Sequence, residues 1–405
     1  VPLFVIVILI VLGLVFIWLI YSLVWGSPPW INLAVERLSL KMVLNNPETL
    51  TVLGFIENTL LDFHSNKLTD ASPDYMDYLR QLDRDGLALI RHYNPEKLSG
   101  QKKLTYHLMQ WYYDQNLRGH RFNYHWISNP VFMGPYPVNQ VFGVQVDLIN
   151  FLTTYHQIKD RRSAKRFIQR LNMVPWKIAG LIKSLRLREE IGVLPPKFVI
   201  EKSINQIEDF ILSPIEENPI YTSFIEKLKS SEQFSLSSIR KWEKNLKDAI
   251  EYEVLPAYGQ LKIYLEDLLS AADEEDGVWH LPDGEDYYAF LLRNHTTTDL
   301  SPEDVHQLGL KEVERIEESI RDVLSELGLS NENPGEQLKA LMNDPQFHFM
   351  GEDQRELIRE DFQDILDEVN QRMDEVFTFG ALDEIEVKRL PEFRESGSPI
   401  AYGEA

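Results

Sequence analysis

Apolar residues recur at helical spacing through most of this chain, over stretches much too long for strands. Between Ser237 and Leu269 they fall at Ile239, Trp242, Leu246, Ala249, Ile250, Leu261, Tyr264, Leu265 and Leu268. Pro256 sits inside that run, where it must kink the helix or divide it. A second stripe is Val305, Leu308, Val313, Ile316, Ile320, Val323, Leu324 and Leu327, closed by Gly328. A third is Ile358, Phe362, Ile365, Leu366, Val369, Met373, Val376 and Phe377. Strand-like alternation is confined to Ile385–Arg389. The expected fold class is therefore all-α.

The N-terminus is a different kind of helix. Val1 to Trp25 hold no charged side chain, and Leu3 to Val24 are almost wholly Val, Ile, Leu, Phe and Trp. At about 1.5 Å per residue such a run crosses the roughly 30 Å hydrocarbon core of a bilayer. It exceeds the h-region of a signal peptide, lacks a small-x-small cleavage site, and ends in Tyr21, Trp25 and Trp30, residues that suit a membrane interface. The expected organisation is one transmembrane anchor over residues 1–25, a linker over 26–32 marked by Ser27-Pro28-Pro29, and a helical body over 33–405.

Composition narrows the partners. The formal charge is −22, which disfavours nucleic acid and anionic lipid headgroups as ligands. There is no cysteine, so the chain offers no disulfide, no thiolate ligand, no Cys nucleophile and no lipidated N-terminal Cys. Of ten histidines no two lie four apart, so no helix presents the His-x-x-x-His face that grips zinc. Glu303-x-x-His306 has di-iron spacing, but such a site needs two copies and Glu303 suits the first turn of a helix. The acidic turn Ala272–Gly277 lacks the ligand alternation of a calcium loop. No nucleophile elbow, phosphate loop or dinucleotide fingerprint is present.

Two segments carry candidate chemistry. Gly119 to Gly143 is rich in aromatics, Asn, Pro and Gly and lacks helical periodicity, as functional loops often do. Within it Tyr136, Asn139 and Gln140 can hydrogen-bond a peptide backbone, or else bond their own turn. The other is His295-Thr-Thr-Thr298, just ahead of a well-marked helix start. Ser301 is an N-cap, Pro302 the first helical residue, Asp304 the capping-box acid, and Leu300 with Val305 a hydrophobic staple. His295 and Thr296 either line a substrate groove or cap local backbone.

These segments also carry a resemblance. Pro282-Asp-Gly-Glu-Asp-Tyr-Tyr288 followed by His295 to Glu303, Pro135-Tyr-Pro-Val-Asn-Gln-Val-Phe-Gly143 with Phe151 to His156, and Gly192 to Val199 together resemble the bacterial family known as domain of unknown function 885. The resemblance runs from about Leu33 to the last residue. It implies an elongated, two-lobed helical zinc peptidase of the thimet oligopeptidase and angiotensin-converting-enzyme type, acting on peptides. In that family a His-Glu pair and a Gly-His-His follow a segment like Leu390 to Arg394 and Ala401-Tyr402. Zinc is thus expected in the full-length protein, with every ligand beyond Ala405 and none bound by this chain. Tyr402 becomes a candidate oxyanion stabiliser by resemblance. The body is expected on the extracytoplasmic side of the membrane. The rival reading is a membrane-tethered helical scaffold that binds without catalysis.

Overall fold

The structure is a computed structural model that describes residues 3–127, 133–272, 274–329, 333–345, 354–378 and 385–388. These fall into two compact units, one running up to His295 and one starting at Thr296. Nearly every regular element is helical, as the apolar spacing requires.

In the first unit, α1 (Leu3–Val24) has 22 residues and no acidic or basic side chain in its first or last turn. Several of its side chains between Leu3 and Phe16 lie outside the described set. Among the described residues no helix is long and apolar enough to cross a membrane. The last carbonyls of a helix have no partner within it. Here Arg37 of α2 (Ile31–Leu44) supplies one, its Nη1 donating to Ser22 O at 3.4 Å and, just past the helix end, to Gly26 O at 2.5 Å. A cation at that end also complements the helix dipole.

Asn46 caps α3 (Pro47–Leu53) by accepting from Thr49 N. A long loop then leads to α4 (Pro73–Arg91), which packs with α5 (Gly100–Gly119) and α2. Ile31, Ala34, Leu38, Leu87, Ile90, Tyr106 and Tyr113 are the core of that layer. Gly86 lets α4 and α5 approach: a Cβ there would lie 2.5 Å from the Tyr113 ring.

The segment after α5 was expected to be irregular. It holds a small antiparallel hairpin, β1 (Trp126–Ile127) with β2 (Met133–Gly134), in register Trp126 with Gly134 and Ile127 with Met133. Beyond it come α6 (Val144–Asn150), α7 (Arg161–Leu171), α8 (Val174–Glu189), α9 (Lys197–Leu212), α10 (Pro219–Ser230) and α11 (Leu236–Ala249). A π turn over Ile250–Val254 separates α11 from α12 (Leu255–Leu269). Pro256 thus stands in the first turn of α12, where its missing N–H leaves no bond unmade. The chain stays helical through this point, and the irregularity expected at Pro256 takes the form of the π turn just before it. Stacked between these helices, Phe167 meets Phe224 at 4.9 Å and Phe210 meets Tyr258 at 4.8 Å between ring centroids. The unit closes with α13 (Gly284–Thr296), whose last residue already belongs to the second unit.

The second unit contains α14 (Pro302–Glu326), α15 (Pro334–Met342) and α16 (Gln354–Gln371). The Ser301–Asp304 capping box is formed in both directions, Asp304 N to Ser301 Oγ at 3.1 Å and Ser301 N to Asp304 Oδ2 at 3.0 Å. The apolar stripes of α14 and α16 are largely exposed: Val313, Ile316, Val323, Phe362, Ile365 and Val369 all face outward, and Leu324 alone is buried among the described residues of α14. Ile385–Lys388 do not form the expected strand. The Gln363 side chain donates to Ile385 O and accepts from Val387 N, so one amide stands in for a neighbouring strand.

Candidate functional site

Two of the three blocks that set this sequence apart meet the Gly192–Val199 block at one place. Phe122, Tyr124, Val193, Leu281, Tyr287 and Phe290 form a buried cluster, with Tyr136 packed against it. Four separate stretches contribute: the turn after α5, the loop after β2, the start of the segment between α8 and α9, and α13 with the turn just before it. Tyr287 is the hub. Its ring stands edge-on to Phe122 at 4.9 Å and Tyr124 at 5.1 Å. Its hydroxyl is 2.9 Å from His125 Nδ1. Tyr124 reaches across to donate to Pro282 O at 2.5 Å.

Arg188 at the end of α8 binds the cluster from below. Its guanidinium donates to Pro135 O, Ser184 O and Tyr124 O at 2.8–3.0 Å and lies over the Trp126 ring. Burying a cation is tolerable only when its donors are used. Three backbone carbonyls serve that purpose here, and burial still lowers the Arg188 pKa to about 10. The same burial lowers His125 to about 3, with His120 and Arg188 adding to it. His125 is therefore a neutral imidazole at physiological pH. Burial pushes the Tyr124 hydroxyl up to about 12. Two neutral partners, closed off from solvent, hold two chain segments together.

Tyr136 is half-buried on the cluster. Asn139 is turned inward: its Oδ1 accepts from Val141 N at 2.9 Å and Phe142 N at 2.7 Å, the local turn bonding weighed above. Gln140 accepts through its backbone from Gln206 Nε2 at 2.9 Å, while its buried Oε1 finds no partner among the described residues. His295 is exposed at the end of α13, in the first unit. Thr296 opens the second unit, and its Oγ1 is 2.9 Å from Thr298 Oγ1 and accepts from Thr298 N. Tyr402 lies outside the described residues. Among the described residues no three His, Asp or Glu side chains gather as metal ligands. They do not fit a zinc site.

A second buried polar network escaped sequence reasoning. Arg170 in α7 is fully buried. It donates to Lys67 O at 2.9 Å, Thr51 Oγ1 at 2.5 Å and His156 Nδ1 at 2.6 Å, and lies over the Phe151 ring. Because arginine only donates, His156 accepts at Nδ1 and carries its proton on Nε2, toward Ser163 O. Burial and then Arg170 push the His156 pKa well below its ordinary value. Next to it, burial tends to raise the Asp62 carboxyl. Bonds from Ser65 and Asn58 and the charge of Arg166 outweigh that and hold it well below the usual carboxylate range. This network ties the loop after α3 to α7. Its only advance signal was an unusual density of Arg and Lys between Lys159 and Arg170.

Comparison with known proteins places the chain. Residues 47–405 match the model of a family described as "Bacterial protein of unknown function (DUF885)". A solved structure described as a "putative lipoprotein from Colwellia psychrerythraea" shares the fold, with a TM-score of 0.74 at 22% identity. The match covers 85% of this chain and 60% of that one, so this chain spans about three fifths of the solved protein's length. Among curated proteins none matches.

Proposed function

Since the chain belongs to the DUF885 family of bacterial proteins, we propose that it is the helical body of a membrane-tethered hydrolase of the zinc-peptidase type. The observation that carries this reading is the meeting of Tyr136, Val193 and Tyr287, one from each block of family resemblance, in a single packed cluster. Such a cluster fixes the loop bearing Asn139 and Gln140, and it fixes α13, whose last turn carries His295. A rigid frame under polar loop residues is how binding sites are commonly built. In this reading the zinc ligands would come from outside the described residues, and Tyr402 would be a candidate oxyanion stabiliser by the family resemblance alone.

The tether is α1. Its sequence over 22 residues carries no charge, and Phe4, Leu14, Ile17, Trp18, Tyr21 and Trp25 are exposed. Exposed side chains of this kind need an apolar medium. The description of the Colwellia protein as a lipoprotein supports a membrane location. In this reading the body is extracytoplasmic. The rival, a tethered scaffold that binds peptides without cutting them, draws on the closed nature of the His125–Tyr287 pair.

Purified protein from the complete gene, incubated with a mixed peptide library, tests the reading. New cleavage products that a chelator abolishes and zinc restores are expected. Peptide binding without cleavage, with or without zinc, would favour the scaffold. Within the same assay His295→Ala should lower the rate at least tenfold, about 1.4 kcal/mol of transition-state stabilisation. Loss of stability with an unchanged rate would make that cluster purely structural.

A further inference from the structure

The body carries a surface that its overall charge of −22 conceals. The loop after α3 exposes Phe55 (78%), Leu60 (97%), Leu61 (72%) and Phe63 (45%). Four large apolar side chains in nine residues, held outward, are not the scattered exposure normal for a surface. The acids of the same loop do not share that exposure: Asp62 is buried and Glu57 half-buried. Beside it stands the most basic stretch of the protein. Between Gln157 and Arg170 the sequence holds Lys159, Arg161, Arg162, Lys165, Arg166 and Arg170 against the single acid Asp160. Asp160 is occupied as the N-cap of α7, accepting from Ser163 N. Lys159, Arg161, Arg162 and Lys165 are exposed, as is Lys67.

Apolar tip and basic rim are joined into one piece. Arg162 donates to Thr59 O at 3.1 Å, and Arg166 donates to Asp62 O and to Ser65 Oγ. Lys67 Nζ lies 5.8 Å from the centre of the Phe63 ring. The loop therefore cannot fold its apolar residues inward without breaking bonds to α7.

We infer that this face docks on a bilayer containing anionic phospholipid, with Phe55, Leu60, Leu61 and Phe63 entering the interface and Lys67, Lys159, Arg161, Arg162 and Lys165 meeting the headgroups. Charge complementarity selects that occupant. An interfacial segment combines apolar insertion with cationic attraction, and it is the local cations, within a Debye length of the surface, that are felt. A second copy of so acidic a chain would be repelled overall. The inference rests on the α1 tether for proximity to the bilayer, and it adds a contact that orients the body on the membrane.

The absence of cysteine makes the test clean. Leu60→Cys in the full chain gives a unique site for an environment-sensitive fluorophore, and Leu236→Cys, also exposed, gives a control. Both proteins are reconstituted into phosphatidylcholine vesicles, with or without about 30 mol% phosphatidylglycerol. With the anionic lipid the label at position 60 should shift to the blue and lose at least about fivefold of its quenching by iodide. The control label should stay aqueous. Lys159→Glu, Arg161→Glu and Lys165→Glu combined should return label 60 to water with the circular dichroism unchanged, and so should about 1 M salt, where the Debye length is about 3 Å. Label 60 equally open to iodide in both vesicles overturns the inference. So does shielding that is equal in neutral vesicles and in detergent, which would mean that the protein itself, or a second copy of it, covers the label. Flotation of the unlabelled protein with neutral vesicles reports on the tether separately.

Discussion

Tyr287 shows how much one side chain can be asked to hold. Its ring is the hub of the aromatic cluster and its hydroxyl is the partner of a buried neutral histidine. Tyr287→Phe keeps the ring and orphans His125 Nδ1, so it should cost about 1–3 kcal/mol in urea unfolding. A null result would place the stabilisation in the rings alone. His125 itself predicts an acid dependence. Its folded pKa is near 3, against about 6.5 when unfolded. Between those values the unfolded chain binds a proton that the folded chain refuses, so stability falls as pH drops through this window and is flat above it. His156, also lowered, acts in the same direction. The melting temperature should therefore decline from pH 6.5 downward, and His125→Gln should flatten that decline. An unaltered profile would mean that His125 protonates without opposing the fold.

Residues are also where sequence reading reached its limit. Asn139 can serve a ligand or its own turn, and composition cannot choose. The structure gives its oxygen to two neighbouring amides. Arg170 and Arg188 stand on helices whose arginines read as solvated surface, yet both are buried on backbone carbonyls that only the folded loops bring near. Replacing Arg170 by Met strands those neutral acceptors and should cost about 1–3 kcal/mol. A chemical denaturation midpoint unchanged from the parent would contradict the network as described.

At the scale of elements the sequence was far more legible. Helical spacing, Pro256 and the Ser301 signature all correspond to features found, because each acts through local geometry that the chain cannot evade. The β1–β2 hairpin was missed because two-residue strands leave no alternation to see. The Ile385 segment misled because alternation promises a strand only if an edge is available to pair with it. The cap at Ser301 makes a local prediction. Ser301→Ala should cost about 1 kcal/mol of α14 stability. In hydrogen exchange the first turn of α14 should lose protection while α12, with Leu261 and Leu265 fully buried, keeps its own. Uniform loss in both helices would tie the cap to global stability instead.

For the whole molecule, the helical body and the family follow from the fold and the sequence match, and the function is the proposal built on them. Charge makes the point about scale. A net −22 argues against anionic partners for the molecule as an average, while one loop and one helix argue the reverse for a single face. Averages bound what a protein does, and local arrangement decides where it does it. The proposed tether would hold the helical body at a membrane through α1. Alkaline carbonate extraction of membranes carrying the intact chain is its sharpest test. The intact chain is expected to stay in the membrane pellet, and deletion of Val1 to Pro29 to release the body. Recovery of the intact chain in the carbonate supernatant would contradict it.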